Sequence, residues 1–226
     1  MNFVSVVHSG DKSSWIWSHW AHFYWKYWDR TIPTYFISEE KEPPEGVISI
    51  KTGKGLSWGR GLENALSQIP EEYVLYLHED YFPFDFINFQ ILNAIPDVME
   101  KNKISIMKVC GKYAGHDKTA NRMKKTDIKV LNSYVYKYPI EVGYGISHRQ
   151  SIWKKSFLLH SLRNINTPWE HEIRGSDLVT EHDNISAIID RQPIPTIEMI
   201  LKGKLSESGT VYYDIEIDGH YDWTNV

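Results

Sequence analysis

Several residues of this chain have the types and spacing that chemistry needs. His78-Glu79-Asp80 follows directly on the aliphatic run Tyr73-Val74-Leu75-Tyr76-Leu77. Carboxylate oxygens at a strand end are what a hard divalent cation prefers. The same side chains can instead cap the element that follows. Glu170 and Glu172 come after Trp169. Spacing i, i+2 points them apart in helix or strand, so only one can face a given atom. A carboxylate so placed can take a proton from a hydroxyl that turns acidic as its new bond forms. Asp11 and Glu39 stand just after two other apolar runs, where they are either ligand acceptors or ordinary loop polarity. Arg60 and Asn64 are one helical turn apart. Arg60 can meet a phosphate, hold the Asp80 carboxylate or make a surface ion pair.

The elements that must position these groups are legible in the pattern. Residues 3–7 read as a short buried strand, and 13–28 as a helix with Ile16, Trp20 and Tyr27 on one face. Residues 33–38 and 47–50 are strands, 62–68 a helix and 73–77 a further buried strand. This order predicts a mostly parallel sheet flanked by helices, with ligands at the carboxyl ends of its strands. Ser9 and Asp11, Ser38 and Glu39, then His78-Glu79-Asp80 all fall at such ends. Further on, 87–100 reads as a helix limited or bent by Pro96, and 104–109 as a strand. Residues 112–129 read as a Lys-rich loop, solvated or closing as a lid through Lys118, Arg122, Lys124 and Lys125. Strands are expected at 133–137, 141–147 and 185–189. Residues 150–162 read as a helix, and the stretch after Pro168 as a short helix that Gly175 ends.

Composition excludes several classes. The chain has 226 residues, enough for one domain with a substantial core. Its 25 basic and 29 acidic residues leave no basic excess for nucleic acid. Cys110 is the only cysteine, so no intramolecular disulfide or cysteine-rich zinc site can form, which favours a reducing compartment. The N-terminus lacks the pattern of a signal peptide, and no run is long enough to span a membrane. The expectation is a cytoplasmic protein, able to work at a membrane surface. The aromatic helix reads as core, and His19 and His22 on it as structural.

The stretch Gly55-Leu56-Ser57-Trp58-Gly59-Arg60-Gly61-Leu62-Glu63-Asn64, followed by the strand that ends in His78-Glu79-Asp80, resembles the donor-binding half of inverting family-2 type glycosyltransferases with the glycosyltransferase-A fold. Ser9-Gly10-Asp11-Lys12, Trp153-Lys154-Lys155-Ser156-Phe157 and Pro168-Trp169-Glu170-His171-Glu172 carry the likeness further, over roughly residues 1–175. Together they look like small single-domain glycosyltransferase-like proteins of bacterial polysaccharide loci and large DNA viruses. Such a protein from a virus would work in the host cytoplasm. The usual acidic motif is Asp-x-Asp. Here His78 holds the first position, Glu79 the middle, and only Asp80 matches the last.

The resemblance implies an α/β glycosyltransferase-A domain over 1–226, with a nucleotide-sugar-binding half at 1–110 and an acceptor-binding half at 111–226. It implies a nucleotide-diphosphate sugar donor, a glycan or glycoconjugate acceptor, and Mn2+ or Mg2+ bridging the diphosphate to Asp80. A C-terminal histidine, His220, is the further metal ligand it suggests. Ser9, Asp11, Ser38, Glu39, Arg60, Asn64, His78 and Glu79 would then meet the nucleotide sugar. Glu170 or Glu172, with the lean to Glu172, would be the base, and the other would cap the helix or pair with Arg174. Three competing functions stand beside this one. They are a catalytically silent nucleotide-sugar-binding module, a sugar nucleotidyltransferase, and a glycoside hydrolase using Glu170 and Glu172.

Overall fold

The computed structural model describes residues 2–111, 121–138, 145–181, 185–201 and 204–209. In chain order the first half gives β1 (Val4–His8), a 3-10 turn (Asp11–Ile16), α1 (Trp17–Tyr27), β2 (Thr34–Ser38), β3 (Ile48–Lys51), α2 (Trp58–Ser67) and β4 (Tyr73–Leu77). Then come β5 (Tyr81–Pro83), α3 (Phe89–Lys101), β6 (Ile104–Lys108), β7 (Lys124–Val130), β8 (Ser133–Lys137), β9 (Ser151–Lys154) and α4 (Lys155–Ser161). The chain continues as α5 (Pro168–Glu181), β10 (Ile185–Ile189), β11 (Thr196–Glu198), β12 (Ile200–Leu201) and β13 (Lys204–Leu205).

One nine-stranded sheet in the order β3-β2-β1-β4-β9-β6-β10-β8-β7 organises the molecule. Every strand but β8 and β9 runs the same way. The central strands are buried on both faces and are therefore mostly apolar, as in β4 and in β6 up to its terminal Lys108. One face packs against α1 and α3, the other against α2 and α4. On α1 and at its end, Trp20, Tyr24 and Trp28 stack at 4.4 and 4.9 Å between centroids, and the buried Tyr24 hydroxyl meets Ser5 and Thr34 at 2.9 and 3.1 Å. The aromatic helix is core, as its spacing predicts. No described helix is long and apolar enough to cross a membrane.

The mostly parallel sheet between helices is as the sequence predicts, but several elements differ. Residues 151–154 are not the start of a helix. They form β9, hydrogen-bonded antiparallel between β4 and β6, with Ile152 opposite Leu75 and Met107. A short apolar run does not distinguish strand from helix, and here non-local pairing decides. The Lys-rich stretch is a loop only in part. Lys124 and Lys125 lie on β7, a ribbon with β8, while residues 112–120, with Lys118, lie outside the described residues. Lys125 sits over the Tyr134 ring at 3.4 Å. Of the strand expected at 141–147, residues 145–147 are irregular and 141–144 lie outside the described residues. Helix α3 runs through the buried Pro96, and α5 runs through Gly175 to Glu181.

Helix α2 begins four residues before its predicted start because Gly59 and Gly61, poor helix formers, obscure it. At Gly59 the reason is contact: a Cβ there would lie 2.2 Å from the Ile165 carbonyl oxygen. The Trp58 N–H donates to the Asn166 carbonyl at 3.1 Å. The start of α2 is thus clamped to the segment that leads into α5.

Candidate active site

A cleft of about 210 Å3 opens at the carboxyl ends of β1 and β2, closed on one side by the start of α2. His8, Ser9, Lys12, Ser38, Glu39 and Trp58 are among its lining. Ser9 Oγ accepts from the Trp17 indole at 2.7 Å, and Ser38 Oγ donates to the Lys41 carbonyl at 2.9 Å. Asp11 accepts from the backbone N–H groups of Glu39, Glu40 and Lys41 at 3.0, 3.0 and 3.1 Å. In return Glu39 accepts from the Asp11 N–H at 3.2 Å. Asp11 therefore stitches the β2–β3 loop to the β1 end, and Glu39 is the carboxylate of the pair that lines the cleft.

Arg60 and Asn64 do not join it. The exposed Arg60 pairs with Glu63 at 2.7 Å, the dull alternative for this residue, and does not reach Asp80. Asn64 is exposed and accepts from Gln68 at 3.0 Å. Both project from the outer side of α2, because its inner positions are taken by Gly59, Gly61, Leu62, Ala65 and Leu66.

At the end of β4 the acidic residues sit differently. Glu79 is 8% exposed. Asp80 Oδ1 is buried without a hydrogen-bond partner among the described residues, as is His78 Nε2. Burial pushes the Asp80 carboxyl up to about 6, with Glu79 and Glu198 adding to the rise and His78 opposing it. Glu198 arrives there because β11 pairs with β5, setting it opposite Tyr81, and the Met199 N–H donates to the Asp80 carbonyl at 2.8 Å. A buried carboxylate without a compensating cation is costly, and a divalent ion would satisfy it. Among the described residues no three His, Cys, Asp or Glu side chains form a metal-binding group. The donor set therefore fits a cation that draws its remaining ligands from a bound phosphate or water. His220 lies outside the described residues.

The two carboxylates of α5 have separate tasks. Glu170 accepts from the Asn166 N–H at 2.8 Å and pairs with Arg174, while its own N–H donates to Thr167 Oγ1 at 3.1 Å. It caps the helix. Glu172 turns inward, and its Oε1 accepts from the His148 N–H at 2.9 Å. Around it lie groups that sequence reasoning missed. His148 Nε2 is 3.2 Å from His171 Nδ1, and His171 Nε2 is 2.8 Å from Ser161 Oγ. Burial holds both rings below the usual histidine range, His171 at about 4. Lys108, the last residue of β6, is buried and lies 3.5 Å above the Tyr138 ring, and burial lowers it to about 7. Trp58 stands between His8 on one side, at 5.5 Å between centroids, and His148 and His171 at 4.9 and 5.6 Å.

Two of these carried a signal in the sequence. His8 and Lys108 are polar residues closing apolar strands on the ligand-binding edge. The others did not, because His148 and His171 become neighbours only when the segment before β9 meets α5.

No protein-family model matches the chain, and no curated protein matches it. Its fold is similar to that of S. aureus TarS 1-349 in complex with UDP-GlcNAc, with 15% identity and a TM-score of 0.51 over 87% of this chain and 57% of that one. It is also similar to the mannosyltransferase PcManGT from Pyrobaculum calidifontis in complex with GDP-Man and Mn2+, with 10% identity and a TM-score of 0.52 over 89% of this chain and 58% of the other. The chain thus spans less than two thirds of the length of either. Likeness at such identity is likeness of architecture, and the architecture of this chain is the glycosyltransferase-A fold.

Proposed function

We propose that the protein is a glycosyltransferase, moving a sugar with inversion from a nucleoside diphosphate to a hydroxyl of a glycan or glycoconjugate. The observation that carries this reading is the neighbourhood of a polar cleft at the ends of β1 and β2 and a buried, uncompensated Asp80 at the end of β4. The similar folds that hold UDP-GlcNAc, or GDP-Man with Mn2+, support it.

In this reading residues 1–110 bind the donor and 111–226 the acceptor. Ser9, Ser38 and Glu39 meet the nucleoside, Asp11 shapes the loop beneath it, and Lys12 faces the phosphates. Asp80, with Glu79 beside it, would hold Mn2+ or Mg2+ together with phosphate oxygens, and His220 is the further candidate ligand. Such an ion stabilises the charge that grows on the departing diphosphate. The acceptor oxygen attacks the anomeric carbon as the bond from that carbon to the diphosphate oxygen breaks. Glu172 takes the hydroxyl proton, its carboxylate oriented by the His148 N–H. Glu170, committed to the helix cap, takes no part. Expulsion of water and the burial of Glu79 and Asp80 strengthen each of these interactions.

Incubation with a panel of nucleotide sugars and Mn2+ tests the assignment, since a transferase without its acceptor leaks donor to water. Hydrolysis of one donor, abolished by EDTA, is the expected result. Tight donor binding with no turnover, in wild type and with every acceptor tried, would instead identify a silent binding module, to which His78 in place of the usual first Asp is the pointer. Activity only with a sugar phosphate and a nucleoside triphosphate would identify a nucleotidyltransferase.

A further inference from the structure

His8 is the last residue of β1, half-buried on the cleft floor. Its Nδ1 lies 3.1 Å from the Tyr76 hydroxyl. Tyr76 is buried, and burial keeps its phenol protonated. Among the described residues that hydroxyl has no other hydrogen-bond partner. If His8 Nδ1 carried the hydrogen, the phenolic hydrogen would be buried with nothing to accept it. Tyr76 therefore donates to Nδ1, and the hydrogen of the neutral ring sits on Nε2. Burial, reinforced by His78, holds His8 at about 3, so the ring is neutral at physiological pH. Trp58 stacks on it at 5.5 Å and 29°, its backbone N–H bonded to the Asn166 carbonyl at 3.1 Å. The result is a neutral N–H donor whose ring is fixed between Tyr76 and Trp58. Lys12 is the cation that lines the same cleft and suits a phosphate.

A fixed N–H donor without charge suits an uncharged acceptor, such as the O4 carbonyl of a pyrimidine base or the O6 carbonyl of a purine. Uracil and guanine carry an oxygen where cytosine and adenine carry an amino group. An amino group there would set donor against donor. We propose that His8 selects a keto base, uracil or guanine, its Nε2–H donating to the base carbonyl while Tyr76 positions the ring. This rests on the donor-binding reading above and adds the residue that discriminates among nucleotides.

Ring 15N spectra and calorimetric titration with UDP, GDP, CDP and ADP, each with Mn2+, test it together. The spectra should show His8 hydrogen on Nε2 in the wild type and a mixture of tautomers in Tyr76→Phe. The wild type should bind UDP or GDP more tightly than CDP and ADP, and the better of the two names the base. His8→Phe should weaken that keto nucleotide roughly tenfold and leave CDP and ADP unchanged. His8→Gln, whose amide N–H reaches about the same place, should restore part of the loss. Hydrogen on Nδ1 in the wild type overturns the proposal, and so does an equal loss for all four nucleotides in His8→Phe. Binding of none of the four by the wild type removes the donor-binding reading itself, and this inference with it. That result is distinct from one in which nucleotides bind without base preference.

Discussion

The carboxyl ends of β1 and β4 lie side by side, with Val7 opposite Leu77, yet they treat their carboxylates in opposite ways. After β1, Asp11 is saturated by three backbone N–H groups of the next loop. After β4, Asp80 keeps a buried oxygen with no partner and a carboxyl pushed up to about 6. A carboxylate whose hydrogen bonds are complete serves the fold. One that is buried and incomplete costs the fold and serves a ligand. On α5 the two glutamates differ in place: Glu170 is bound into its helix cap, while Glu172 turns inward and accepts from the His148 N–H.

Four experiments break or sharpen this contrast. The largest effect is expected at Asp80. Between about pH 4 and 6 the folded state holds a proton that the unfolded state has lost, so stability falls as pH rises through that window and stays low above it. A carboxyl raised from 3.8 to about 6 costs the fold about 3 kcal/mol at neutral pH. Asp80→Asn should therefore raise the melting temperature of the metal-free protein at pH 7 and give no gain below pH 4. It should also abolish the Mn2+-dependent stabilisation by a nucleoside diphosphate, about 2.7 kcal/mol at a hundred times its Kd. Lower stability of Asp80→Asn at pH 7 would contradict the contrast.

The second experiment compares the two glutamates of α5. Glu172→Gln should cut turnover at least about a hundredfold with little change in donor affinity, and Glu170→Gln should leave turnover near normal. Equal turnover in the two variants would remove the distinction between them. The third is Gly59→Ala. Its Cβ would meet the Ile165 carbonyl oxygen at 2.2 Å, so the start of α2 must shift. A loss of about 1–3 kcal/mol in denaturant unfolding is expected, together with weaker nucleotide binding as Trp58 moves off His8. The smallest effect is at Asp11. Asp11→Ala should lower stability by about 1–2 kcal/mol, with the metal dependence of nucleotide binding unchanged. A changed metal dependence would show that Asp11 belongs with Asp80 after all.

Much of the fold was legible along the chain. Residues 73–77, 133–137 and 185–189 are strands at their predicted bounds, since short runs rich in aliphatic and aromatic residues favour a strand. The edge of the sheet that gathers polar residues was legible too, through Ser9, Ser38 and His78-Glu79-Asp80 at strand ends. The site was less so. Arg60 reads as a partner for phosphate, for Asp80 or for a surface carboxylate, and it is on the surface with Glu63, because the inward face of α2 carries Leu62, Ala65 and Leu66 and the close approach of Gly59 to Ile165. Trp58, beside those glycines, was passed over.

The amino-acid order by itself determined the alternation of strand and helix and the chemical types available at each strand end. These follow from local propensity and from the need to bury apolar runs on both faces of a sheet. Tertiary structure alone decided which of those groups were consumed and which remained. Asp11 is satisfied by N–H groups of residues 39–41, Glu172 accepts from that of His148, and His8 Nδ1 meets the Tyr76 hydroxyl 68 residues away. Whether a polar atom is complete depends on partners that only folding brings within about 3 Å.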